Sequence, residues 1–208
     1  MNIAIDRPAG ARAMLVLAHG AGAGMRHAFM NQLVGALAQR GIATLRYQFP
    51  YMDAGRRRPD RAHELEATVR AAVAEAAQRA PDLALFAGGK SMGGRMTSRA
   101  QAEAPLAGVR GIVFFGFPLH PAGAPATERA DHLAHVRVPM LFLQGTRDEL
   151  AGLDLLEPIV TAMPHAFLQV VEGADHGFAL PAAEARVRSA IGELADAAAG
   201  WMLALSRP

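Results

Sequence analysis

Residues 87–95 read AGGKSMGGR, and the stretch fits two machines that cannot both be present. Its left half, Gly88-Gly89-Lys90-Ser91, ends like a phosphate-binding loop. Its centre, Gly89-Lys90-Ser91-Met92-Gly93, has the G-x-S-x-G spacing of a turn that lifts a nucleophilic serine out between a strand and a helix. A phosphate loop needs a glycine five positions before Gly89, because the backbone amides in between must surround the phosphates. That position is Ala84, and it is followed by the apolar strand formers Leu85-Phe86-Ala87. The serine turn is therefore expected: a strand runs to about Ala87, the chain turns tightly at Gly88-Gly89, and a helix starts at Met92. Gly89, Gly93 and Gly94 let strand and helix approach while the serine takes a strained conformation.

A nucleophilic serine needs a general base and an acid to orient that base. In one known chain order the acid and then the histidine follow the serine, each after the C-terminal end of a strand. Asp148 in LQGTRDEL and His176 in VEGADHGF stand at those stations. An oxyanion formed during acyl transfer also needs two N–H donors. Met92 offers the one after the serine, and Ala21 or Gly22 in LAHGAGAGM (17–25) the other. Candidate pocket residues are Gly22, Met25, Phe117, Leu119 and His120.

Short apolar runs alternate with longer helical patterns, which marks a parallel sheet covered on both faces. Strands are expected at Met14–Ala18, Ile42–Tyr47, Leu83–Ala87, Gly111–Phe115, Pro139–Gln144 and Ala166–Val171, with Asn2–Ile5 pairing with the first of them as an edge hairpin. Helices are expected at about 28–40, 60–79, 92–103, 151–163 and 182–204. The fold class is thus α/β: a mostly parallel sheet of about seven strands, helices on both faces and a minimal cap. Residues 118–137 form the longest irregular stretch and lie where a small cap would sit.

The 208 residues, 51% of them hydrophobic types, suffice for one domain spanning 1–208. A formal charge of +2 with no concentrated basic face argues against nucleic acid as a partner, and Arg56-Arg57-Arg58 reads as a solvated loop. The chain has no cysteine, which excludes disulfides, a thiolate nucleophile and Cys-based zinc sites. Met14–Ala18 is too short for a signal segment or a membrane span, so no membrane partner and a cytoplasmic location are the expectation.

Of the remaining polar residues, His19 reads as structural, hydrogen-bonded to backbone. His120, His132 and His135 have no metal-binding spacing, and no metal or organic cofactor is expected. Asp175 and Asp154 are rival acids, the first poorly directed and the second inside the next helix. Lys90 and Arg95 flank the serine and read as salt-bridged or solvated, with attraction of an anionic substrate as the functional alternative.

The stretches AHGAGAGM, GGKSMGGR, FGFPLHPAG, PMLFLQGTRDEL and GADHGF together resemble small, lid-poor α/β-hydrolases of the dienelactone-hydrolase-like kind. Within these, the likeness is to the bacterial group related to the testis-expressed hydrolase-like proteins and the NSL chromatin-complex subunit, over nearly the whole length. The resemblance implies Ser91, Asp148 and His176 as a catalytic triad. The expected function is that of a carboxylesterase-like serine hydrolase acting on a small-molecule acyl substrate. The alternative is a binding or scaffold protein on an inactive hydrolase fold.

Overall fold

The computed structural model describes residues 1–207. Ala13–Ala18 form strand β2, and every one of these residues is buried. A strand covered on both faces belongs inside a sheet. Accordingly β2 lies between β3 (Ile42–Tyr47) and β4 (Ala84–Lys90), parallel to both. Beyond β4 the sheet continues in parallel through β5 (Val109–Phe115), β6 (Met140–Arg147) and β7 (Ala166–Asp175), in the order β1-β3-β2-β4-β5-β6-β7. The first strand, β1 (Ile3–Asp6), pairs antiparallel with the outer edge of β3. A hairpin between β1 and β2 is therefore not formed: both sides of β2 are already taken by β3 and β4.

Alternation along the strands sorts side chains onto two faces. Leu15, Leu17, Phe86, Val113 and Phe115 pack against α1 (Ala28–Ala38) and α6 (Ala190–Leu205). On the opposite face Met14, Val16 and Ala87 meet α3 (Ala62–Arg79) and α4 (Met92–Glu103). Ile112, Phe114 and Phe142 pack there against α5 (Leu153–Thr161). A short helix α2 (Pro50–Asp53), opened by its proline, follows β3. Helix α6 starts later than the apolar pattern indicates, because Ser189 caps it by accepting from the Gly192 N–H.

Residues 118–137 are a structural crossover, not a cap. They carry a 3₁₀ segment, Glu128–His135, and bury Leu119, Ala130, Leu133 and Val136 against the β5–β6 side of the sheet. With β3 and β4 on opposite sides of β2, the loops leaving β2 and β4 open a crevice at the C-terminal strand ends, where α/β sheets place their ligands. Among the described residues no helix is long and apolar enough to cross a membrane.

Candidate active site

Ser91 is the single residue between β4 and α4, with φ 51° and ψ −120°. Residues with a Cβ rarely adopt that conformation, which costs on the order of 1–3 kcal/mol. The surroundings impose it. Its N–H donates to the Phe115 carbonyl at 3.1 Å, and its carbonyl accepts from the Arg95 N–H at 3.2 Å. A Cβ on Gly89 would lie 2.6 Å from the Ala18 oxygen, and one on Gly93 2.6 Å from the His19 oxygen, so only glycine lets these segments converge. Pairing of β4 continues through Gly89 with β2 and through Lys90 with β5. The turn is therefore at Ser91 itself, not at Gly88-Gly89, and the glycine pair lies within the ladder instead of wrapping a phosphate.

His176 Nε2 lies 2.9 Å from Ser91 Oγ, and its Nδ1 lies 2.7 Å from Asp148 Oδ2. A neutral imidazole then donates from Nδ1 and accepts the serine proton at Nε2. Asp148 is buried and satisfied: Oδ1 accepts from the Leu150 N–H at 2.8 Å, and Oδ2 also accepts from the Gln144 side-chain amide. Gln144, fully buried, accepts in turn from the Phe117 N–H at 2.9 Å. This residue was not singled out from sequence, although an amide inside the apolar run MLFLQG needs a partner. The rival Asp175 instead accepts from the Ala179 N–H at 2.9 Å, and Asp154 sits in the first turn of α5.

The two oxygens of Asp148 face donors only. In Asp148→Asn the side-chain NH₂ must oppose either the Leu150 N–H or the Gln144 and His176 donors, which favours the imidazole tautomer with its proton on the wrong nitrogen. A fall in kcat/KM of about 10³–10⁴-fold with the fold retained is expected, measured on a chromogenic acetate ester alongside circular dichroism. A loss below tenfold would deny Asp148 this role.

The loop after β2 is held from below. His19 donates from Nδ1 to the Gly20 carbonyl at 2.7 Å and accepts the Phe49 N–H at Nε2, 3.1 Å away. Burial lowers its pKa and keeps it neutral. Tyr51, on α2, donates its hydroxyl to the Ala21 carbonyl at 2.9 Å. Burial, helped by the nearby Asp60 carboxylate, pushes that phenol up to about 12, so it stays a donor at ordinary pH. Met92 opens α4, where first-turn amides have no partner within the helix. Ser91 and His176 open onto a cleft of about 300 Å³, lined chiefly by Ala21, Ala23, Phe29, Met30 and Leu150.

Residues 11–203 match the family of the alpha/beta hydrolase domain. The chain belongs to the α/β-hydrolase family. Among solved structures it is similar to a dienelactone hydrolase from Anabaena variabilis, with a TM-score of 0.77 at 23% identity over 97% of this chain and 90% of that one. A serine hydrolase homologue from Coxiella burnetii follows the same fold, with a TM-score of 0.73 at 18% identity over 95% and 89% of the two chains. So does an α/β serine hydrolase without lid from Xanthomonas campestris, with a TM-score of 0.69 at 18% identity over 98% and 86%.

In this α/β-hydrolase the candidate pocket residues separate. Gly22 lines the cleft with Ala21. Met25 lines a different, more polar cleft of about 460 Å³ beside Asn2, Gln48 and Asp53, which holds no nucleophile–base pair. Its N–H is turned to the Gln48 side chain at 2.8 Å. Phe117 is buried between Phe114 and Phe142 with ring centres 5.3 and 5.7 Å away, and Leu119 is fully buried in the same cluster. His120 ties the 120 and 150 loops together, bonding the Pro121 carbonyl at 2.9 Å and the Gly152 N–H at 3.4 Å. The pocket is instead walled by Phe29, Met30 and Leu150, whose directions depend on how α1 and the β6–α5 loop cross the strand ends. Lys90 is not salt-bridged: it is half-buried at the cleft, with its ammonium donating to the His176 carbonyl at 2.6 Å.

Proposed function

We propose that this α/β-hydrolase cleaves a carboxylic ester, lactone or thioester of a small molecule through an acyl-enzyme on Ser91. The reading is carried by the unbroken hydrogen-bonded array from Ser91 Oγ through His176 to Asp148, at 2.9 and 2.7 Å. His176 Nε2 takes the hydroxyl proton as Oγ attacks the acyl carbon. Asp148 steadies the imidazolium, and the N–H groups of Met92 and Ala21 hold the oxyanion. The proton then passes to the leaving group, and water attacks the acyl-enzyme by the same route in reverse. No step requires a metal or an organic cofactor. The apolar lining and small volume of the cleft favour short acyl groups.

Within the family, the motifs GGKSMGGR and AHGAGAGM support a place beside the bacterial relatives of the testis-expressed hydrolase-like proteins and the NSL subunit. True dienelactone hydrolases carry a cysteine nucleophile where this chain has Ser91.

The test is labelling with a fluorophosphonate, mapped by peptide mass spectrometry. Modification of Ser91 that is lost in His176→Ala is the expected result. A folded protein whose Ser91 stays unmodified would leave a binding or scaffold role on the hydrolase fold.

A further inference from the structure

Lys90 is the only lysine in a chain whose other strongly basic side chains are all arginine, and none of the steps above uses it. Lysine heads ordinarily reach water. This one turns inward from the residue next to the nucleophile. Its Nζ donates to the His176 carbonyl at 2.6 Å and stands over two aromatic rings, 5.8 Å from the centre of Phe29 and 5.4 Å from that of Phe178.

The segment it grips is under tension. Phe178 has φ 62°, a left-handed value unusual for an aromatic residue, and its ring stacks on Phe29 at 5.9 Å. Gly116 also comes close to Nζ. A Cβ on Gly116 would lie 3.1 Å from Lys90 Nζ and 3.5 Å from both Asp148 Oδ2 and His176 Cε1. Ammonium, carboxylate and imidazole therefore converge on Gly116, beside the serine.

We propose that Lys90 is a positioning residue for the Ser91–His176 pair, clamping the main chain of the histidine loop to the turn that carries the nucleophile. The inference rests on the acyl-transfer reading. Through its bond to the His176 carbonyl and its contact with the Phe178 ring, the ammonium ties both ends of a strained loop to the end of β4, which holds Nε2 within reach of Oγ. The Asp148 and Asp175 carboxylates favour the ammonium, but burial outweighs them and brings its pKa down to about 8.

The experiment follows fluorophosphonate labelling at Ser91 and p-nitrophenyl acetate turnover in the wild type and in Lys90→Met. The variant keeps the apolar stem but has neither donor nor charge. Labelling and kcat should fall on the order of 10²-fold, as for a misplaced general base, while KM changes less than about threefold. The absence of native cysteine permits a rescue that does not depend on how Lys90→Met folds: Lys90→Cys carries a single thiol, and 2-bromoethylamine converts it to an amine-bearing side chain of lysine length. Recovery of most of the rate is expected, with wild type carried through the same treatment as control.

Wild-type rates in Lys90→Met, a loss that falls on KM and not on kcat, or an aminoethylated Lys90→Cys form that does not recover, overturns the proposal and leaves Lys90 a packing residue. A wild type that never labels at Ser91 removes the acyl-transfer reading itself. The two failures are therefore distinguishable.

Discussion

Ser91→Gly is expected to abolish turnover, lowering kcat/KM by about 10⁴-fold or more, and also to make the protein more stable. The two effects share a cause. Phe115, Arg95 and the close approach of Gly89 and Gly93 to β2 hold Ser91 at φ 51° and ψ −120°. A side chain at that geometry is strained, and glycine is not. Relief of the strain, less the extra freedom that glycine gains in the unfolded chain, leaves a net gain of about 1 kcal/mol. For a protein of this size that is a rise in Tm of about 2–4 °C. Ser91→Ala is the matched comparison: equally inactive, but with its Cβ and therefore its strain retained, it should melt close to the wild type. Calorimetry of the three proteins with one ester assay decides the matter. A glycine variant that melts below the alanine variant would show that the turn is not strained, and residual turnover in either would place the nucleophile elsewhere.

Gly88→Ala should have the largest effect on folding. Gly88 lies inside β4 opposite Val113 of β5. A Cβ there would sit 2.0 Å from the Val113 carbonyl oxygen, 2.9 Å from its carbon and 3.0 Å from its nitrogen. Every obstructing atom is backbone, so no rotamer change relieves the clash. The strands must separate, which breaks the pairing that continues through Gly89–Phe114 and Lys90–Phe115 and carries Ser91 out of place. A loss of about 4 kcal/mol or more is expected, in the range of the most damaging single substitutions. It would be seen as insoluble expression or a collapsed Tm. Gly35 in α1 has nothing within 4 Å of a built Cβ, and Gly35→Ala should gain about 0.5–1 kcal/mol from helix propensity. If Gly88→Ala melts like the wild type, β4 and β5 do not approach as described.

These two glycines differ in how they could be foreseen. Nothing in local spacing distinguishes Gly88 from Gly35, because the obstacle at Gly88 comes from β5, more than twenty residues away in sequence. Ser91, Asp148 and His176 were legible because each follows an apolar strand run recognisable from a few neighbouring residues. The apolar run that makes a buried strand and the glycine spacing around a tight turn are local properties. The partner of β1, the supporting amide of Gln144, the crossover role of residues 118–137 and the true pocket wall were not legible. Each depends on which segments meet across the sheet.

By itself, then, the order of residues determined an α/β layering and the sites where a serine, an acid and a histidine leave their strands, since short apolar runs and the glycine-flanked elbow are written in short stretches of chain. Only the tertiary structure decided that Phe29, Met30 and Leu150 line the cleft, that Phe117, Leu119 and His120 do not, and that Lys90 turns inward beneath His176. The physical reason is that a side chain's direction and its ionisation are set by what packs against it, and those neighbours come from distant parts of the chain.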